Sequence, residues 1–204
     1  MFWNQVHQID QQLTLTINSW HSTITDPIWA FFSDKIVWVP MYAAIIALLF
    51  WKLGWKKALI VIAGIGLTFG FCDQFSNLVK HAVARIRPLN DGFMLKHGLH
   101  VLEKGGGYSF FSAHAANAFG LACSTFIGLS VGLGRKNVWV KSYGIWMFLW
   151  ATMVSVSRIF VGKHYLGDVI VGIIVGCMAG LAFGTICNLI AGKLLKKKQS
   201  VSLK

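Results

Sequence analysis

Long apolar runs alternate with short polar joints along this chain. Five runs approach the ~20 residues a helix needs to cross a bilayer. They cover about 36–53, 58–80, 112–133, 138–157 and 166–191. Ahead of them, Phe2, Trp3, Val6, Ile9, Leu13 and Ile17 recur mostly at helical spacing in an otherwise polar stretch. That spacing predicts an amphipathic helix lying on the membrane surface. The stretch DPIWAFF predicts a second, short interfacial piece. The joints WKLGWKK and GLGRKNVWVK are short and basic. The only long connection, about 88–111, carries three glycines at 105–107 and is predicted to be partly flexible. The expected fold is all-α, a polytopic membrane helix bundle in one domain over 1–204. Interfacial helices occupy 1–34, the transmembrane bundle 36–192 and a basic cytoplasmic tail 193–204.

Composition agrees with this pattern. The chain is 55% hydrophobic with a mean hydropathy of +0.60, too apolar for an ordinary soluble domain. The N-terminus has no basic region followed by a compact apolar core, so it does not read as a signal peptide. The formal charge of +12 would suggest nucleic acid in a soluble protein. Here Lys52, Lys56, Lys57, Arg135, Lys136, Lys141 and the tail lysines make 11 of the 19 basic residues, all on one side of a five-span topology. The positive-inside rule makes that side cytoplasmic. Topology plus one cluster on the opposite side accounts for the charge, and no nucleic-acid partner is expected. Cys72, Cys123, Cys177 and Cys187 fall inside predicted spans, without metal-ligand spacing, and read as small buried apolar residues.

In the last run, His164, Asp168, Gly172, Gly176, Gly180 and Gly184 follow one another at intervals of four. On a helix this is one slowly drifting face. Its glycines predict close helix packing, and its upper end carries a polar pair.

Ionisable residues at membrane depth are costly and mark functional sites by default. Three clusters lie on the non-cytoplasmic side. Lys80 and Arg87 close the second span, two helical turns apart. Ser112, Ala113 and His114 open the third, where free backbone N–H groups and the positive dipole end gather. Arg158 closes the fourth, and His164 and Asp168 open the fifth. In an up-and-down bundle these ends share one level. Three cations plus helix N–H groups suit a multiply charged anion, most plausibly phosphate. Two histidines beside it can divide the chemistry. One, held by a carboxylate, can attack phosphorus, and the other can protonate the leaving oxygen. Asp168 lies one turn beyond His164, where it can fix the imidazole tautomer.

The pattern Lys80-x6-Arg87-Pro88, Ser112-Ala113-His114 and Ser157-Arg158-x5-His164-x3-Asp168 resembles the tripartite signature of the type 2 phosphatidic acid phosphatase superfamily. That group spans membrane lipid phosphatases, glucose-6-phosphatase and vanadium haloperoxidases. The resemblance implies His164 as nucleophile through a phosphohistidine, Asp168 as its orienting partner and His114 as general acid. It implies Lys80, Arg87, Ser112, Ala113 and Arg158 as phosphate ligands. It also implies no cofactor and no metal. The second block departs from the family's Pro-Ser-Gly-His, reading Phe111-Ser112-Ala113-His114. Alanine still offers a backbone N–H, so retuning is expected and not loss. The larger bacterial members have six spans, and this chain shows five behind a surface helix.

The expected activity is an integral membrane phosphatase acting on a lipid phosphate or diphosphate. The implied setting is the bacterial inner membrane, with the site facing the periplasm or exterior. Undecaprenyl diphosphate is the leading substrate. Lipid A phosphate, phosphatidylglycerophosphate and phosphatidic acid are its competitors. A non-catalytic transporter or lipid-binding protein would use the same cations as a static anion site, and haloperoxidase chemistry would require bound vanadate. Arg85 and Lys163 read as interfacial or lipid-headgroup contacts, and Ser157 as a local packing or capping residue. His97 and His100 lack the acidic partners of a metal site. Asp73 is consistent with an ion pair, with a network to Asn77 or with protonation.

Overall fold

A computed structural model describes residues 2–202, with side chains described over 3–192. The side chains of the expected basic tail, 193–204, lie outside those described. The elements are α1 (Phe2–Asn18), α2 (Asp26–Ser33), α3 (Val39–Val83), the short α4 (Gly92–Lys96), α5 (Ala113–Leu133), α6 (Val138–Phe160) and α7 (Leu166–Ser202). The fold is an all-helical membrane bundle. Four helical stretches are long and apolar enough to cross a bilayer: Ile36–Val83, Ala113–Leu133, Val138–Phe160 and Leu166–Gly192.

The first stretch has 48 residues. As one straight helix it would reach about 72 Å, more than twice the hydrocarbon thickness. Gly54 breaks it with φ +72° and ψ 159°, a conformation that glycine adopts at little cost. Trp38 and Tyr42 from the first limb and Phe69 and Asp73 from the second line one cavity. The limbs therefore run side by side.

The α5–α7 seam sets the register of the molecule. A Cβ at Gly172 would stand 2.5 Å from the Ser112 carbonyl oxygen. One at Gly176 would stand 2.2 Å from that of Ala116, and one at Gly180 2.6 Å from that of Gly120. Glycines spaced by four on α7 thus lie on α5 positions spaced by four, backbone against backbone. At the top of this ladder Ser112 N–H donates to the Asp168 carbonyl at 3.0 Å. The start of α5 is thereby tied to the start of α7. Away from the seam, Leu67, Leu78, Ile145, Leu149, Ile174 and Met178 are exposed along the spans, the surface expected where lipid is the solvent.

α1 lies across the polar ends of α6 and α7. Thr14 Oγ1 accepts from Leu166 N–H at 3.0 Å, and Asn18 Nδ2 donates to the Ile159 carbonyl at 3.1 Å. These bonds satisfy helix-end groups that would otherwise lack partners. The opposite face of α1 exposes Trp3, Val6, Ile9 and Leu13, as an interfacial helix should. The 88–111 connection is more ordered than its glycines suggest. Met94 is fully buried beside Leu99 and Tyr165, and Leu89 N–H donates to the Gly162 carbonyl at 3.1 Å. Gly105–Gly107 remain exposed.

Candidate active site

Three helix ends build the site. α3 stops at Val83, where Ala84 adopts the left-handed conformation at φ +51° and donates its N–H to the Lys80 carbonyl. The helix is therefore already broken before Arg85 and Arg87, and Pro88 holds Arg87 extended (φ −70°, ψ 151°). Ser112 is the N-cap of α5, its Oγ accepting from Ala115 N–H at 3.4 Å. That hydroxyl is spent on the helix, so the expected Ser112 phosphate contact competes with its cap. Between α6 and α7 the chain turns at Gly162 (φ +80°), and the Arg158 carbonyl accepts from both Lys163 and His164 N–H. This turn fixes His164 relative to Arg158.

His164 is 2% exposed and Asp168 is fully buried. His164 Nδ1 lies 3.5 Å from Asp168 Oδ2, an ionic contact longer than a good hydrogen bond. Both carboxylate oxygens are engaged elsewhere. Oδ2 accepts from Tyr165 N–H at 3.0 Å, and Oδ1 from Arg85 Nη1 at 2.7 Å. Burial, reinforced by the positive field of Arg158 and Arg87, pulls the His164 imidazole down to about 4 against the opposing pull of Asp168. The ring is neutral at physiological pH, as a nucleophile requires.

The residues that the sequence assigns to the anion lie near one another. Arg158 is 3% exposed and donates from Nη1 to Ser33, through both the carbonyl and the hydroxyl. Arg87 Nη1 donates to the Lys163 carbonyl at 3.4 Å. The Nε atoms of both arginines are buried without a hydrogen-bond partner. Buried guanidinium donors left open in this way fit an anion that accepts from them. Lys80 lies within Coulombic reach of Arg87 and Asp168, and His114 within reach of Arg158, His164 and Lys35. Ala113 and His114 form the first turn of α5, whose N–H groups have no partner within the helix.

Several participants were not legible in the sequence. Arg85 is not a headgroup contact. It bridges Asp168 and Asp10, donating to Asp10 Oδ2 at 2.7 Å, and its guanidinium lies 3.7 Å from the Tyr165 ring centroid. Asp10 Oδ1 in turn accepts from Gly167 N–H at 2.8 Å. Lys163 pairs with Glu103 instead of a headgroup. Asp73 accepts from Asn117 at 2.8 Å, not from Asn77. His100 does acquire an acidic partner: its Nε2 lies 3.0 Å from Asp26 Oδ2, with His21 Nδ1 3.7 Å from the same oxygen. The two rings stack at 3.6 Å and 3°. One ion cannot lie in both parallel ring planes, so this group reads as a tie between α2 and the 88–111 connection.

Comparison with known proteins agrees with the geometry. The model of the PAP2 superfamily matches residues 57–189. A lipid A 4′-phosphatase of Bacteroides thetaiotaomicron is 37% identical over 189 residues, covering 91% of this chain and 80% of the relative. A second lipid A 4′-phosphatase, from Porphyromonas gingivalis, is 30% identical over 85% of this chain and 70% of the relative. Among solved structures, the PAP2-type phosphatidylglycerolphosphate phosphatase of Bacillus subtilis superposes with a TM-score of 0.69 at 19% identity, covering 93% of this chain and 88% of that one. LpxE of Aquifex aeolicus superposes with a TM-score of 0.61 at 21% identity, over 84% and 92%. With that match, its membrane bundle and its convergent histidines and cations, the chain belongs to the PAP2 superfamily as an integral membrane lipid phosphatase.

Proposed function

We propose that this phosphatase removes a phosphate monoester from the sugar headgroup of a lipid A-type glycolipid, at the non-cytoplasmic face of a bacterial inner membrane. The names and coverage of the two lipid A 4′-phosphatase relatives favour this lipid over an isoprenoid diphosphate. The basic joints at the opposite end of the spans support the orientation. The observation that carries the chemistry is the pair of open, buried guanidinium Nε donors, Arg87 and Arg158, beside a neutral, carboxylate-backed His164.

In this reading Arg87, Arg158, Lys80 and the first N–H groups of α5 take the phosphate oxygens. His164 Nε2 attacks phosphorus. A P–N bond forms, the P–O bond to the lipid breaks, and His114 gives its proton to the departing oxygen. Asp168 stabilises the imidazolium charge that develops. Water, deprotonated by His114, then attacks the phosphohistidine, releasing phosphate and restoring both histidines. The cations offset charge on the equatorial oxygens throughout.

The test is phosphate release in detergent with EDTA, comparing wild type and His164→Ala. The substrates are 4′-phosphorylated lipid A, phosphatidic acid, phosphatidylglycerophosphate and undecaprenyl diphosphate. The expected result is fastest release from lipid A, with the variant down by about 10⁴-fold or more. Release that survives in the variant would overturn the nucleophile assignment. A ranking led by another lipid would overturn the substrate.

A further inference from the structure

His114 lines a cavity of about 210 Å³ that His164 does not reach. Trp38, Tyr42, Phe69 and Trp150 give it aromatic walls, and Asp73 and Asn117 supply polar groups beside His114. Ser33 also lines it while accepting from Arg158, so the cavity adjoins the anion site. Asn117 Nδ2 donates to Asp73, and Asn117 Oδ1 is buried without a partner. Trp150 Nε1 is likewise buried and unpaired, in a residue only 5% exposed. Asn117 and Trp150 both line the cavity, so its wall residues carry one unpaired acceptor and one unpaired donor, and a ligand offering both would pair them.

A hydroxyl offers both. A fatty acyl chain would leave Asn117 and Trp150 unpaired, and a second phosphate would meet two carboxylates, Asp73 and Asp34, against the single ammonium of Lys35, all three of which line the cavity. At about 210 Å³ the cavity has room for a group the size of a sugar ring. Aromatic walls suit the apolar face of such a ring, and a few placed polar groups orient it. His114 protonates the leaving oxygen, so the cavity it lines is where the departing alcohol lies.

We propose that this cavity is a subsite for the sugar ring that carries the scissile phosphate, with Asp73, Asn117 and Trp150 pairing its substituents. The identity of the ring rests on the glycolipid reading above, whereas the subsite itself rests on the cavity. The test uses Asn117→Ala and the shape-preserving Trp150→Phe in a sugar-free detergent. Phosphate release is measured from 4′-phosphorylated lipid A and from phosphatidic acid, which has no sugar. Each variant is expected to lose about tenfold in kcat/KM on lipid A, which is about 1.4 kcal/mol, and under about twofold on phosphatidic acid. Methyl N-acetylglucosaminide is expected to inhibit wild-type release from phosphatidic acid and to inhibit Trp150→Phe less. Equal losses on both lipids with no inhibition would overturn the subsite, and losses on phosphatidic acid alone would assign the cavity to an acyl chain. Inhibition by the glucosaminide in a wild type inactive on lipid A would keep the subsite and retire the glycolipid reading.

Discussion

The two histidines live in opposite surroundings. His164 is boxed in. Asp168 stands behind it, Arg85 and Tyr165 N–H hold that carboxylate, and Asp10 holds Arg85. Among the described residues, the buried polar atoms left open on that side are His164 Nδ1 and the Nε atoms of Arg87 and Arg158. His114 instead borders a cavity whose walls keep open donors and acceptors. The contrast follows from the chemistry. The attacking nitrogen meets the same phosphorus in every substrate, so rigidity helps. The leaving side meets whatever alcohol the lipid carries, so it needs room and recognition. In the proposed mechanism rate is set on one side and selectivity on the other.

The largest effect that sharpens this contrast is Asp168→Asn. It keeps the shape and removes the charge that stabilises the imidazolium, so kcat is expected to fall about 10³- to 10⁴-fold on every lipid. The pH profile carries a second signature. Wild-type kcat/KM reports the free enzyme. Its acid limb is expected near pH 4, since His164 is neutral above that value and protonated, hence unable to attack, below it. Asp168 opposes the downward pull of burial and of the arginines, so losing its charge lowers the imidazole further and moves the limb to lower pH. A limb that stayed at the ordinary histidine value in wild type would contradict the buried, cation-flanked environment.

The ends of the spans, the glycine ladder and the convergence of Lys80, Arg87, His114, Arg158, His164 and Asp168 were legible because each obeys a local rule. Span length, i+4 spacing and motif spacing are all properties of contiguous sequence. The missed residues act across long separations. Asp10 and Arg85 are 75 positions apart, and Arg85 and Asp168 are 83 apart. No periodicity announces such a pairing. Arg85 could have been found from one signal: Pro88 disfavours helix just before it, and the break at Ala84 takes Arg85 off the helix face that the spacing assumed. Asp73 could not, since its partner Asn117 depends on how the second limb of α3 packs against α5.

A middle-sized effect separates positioning from contact. Arg85 touches no reacting atom, yet its guanidinium holds Asp168 and Asp10 at 2.7 Å each. Arg85→Ala leaves a buried carboxylate without its cation, and a misplaced catalytic pair costs about 10²-fold. The loss should fall on kcat, with KM nearly unchanged, because substrate binding lies with Arg87, Arg158 and Lys80. Arg85→Lys should recover only part of it, since one ammonium cannot reproduce the fork that reaches two carboxylates. A rise in KM alone would return Arg85 to the headgroup role that its position near the membrane surface suggests.

The smallest effect tests whether α1 belongs to the machinery at all. Asp10 reaches the site from a helix whose other face exposes Val6, Ile9 and Leu13. It pairs with Arg85 and accepts from Gly167 N–H at the start of α7. Asp10→Asn keeps an oxygen for Gly167 but loses the charge that Arg85 sees and the favourable anion at a helix N-terminus, worth about 1 kcal/mol. A fall in kcat of about fivefold is expected, equal across lipids. Because Arg85 also contacts Asp168, Asp10→Asn combined with Arg85→Ala should cost little more than Arg85→Ala alone. Additive losses would mean that Asp10 acts only by holding α1 on α7, and the chain from membrane surface to nucleophile would stop at Gly167.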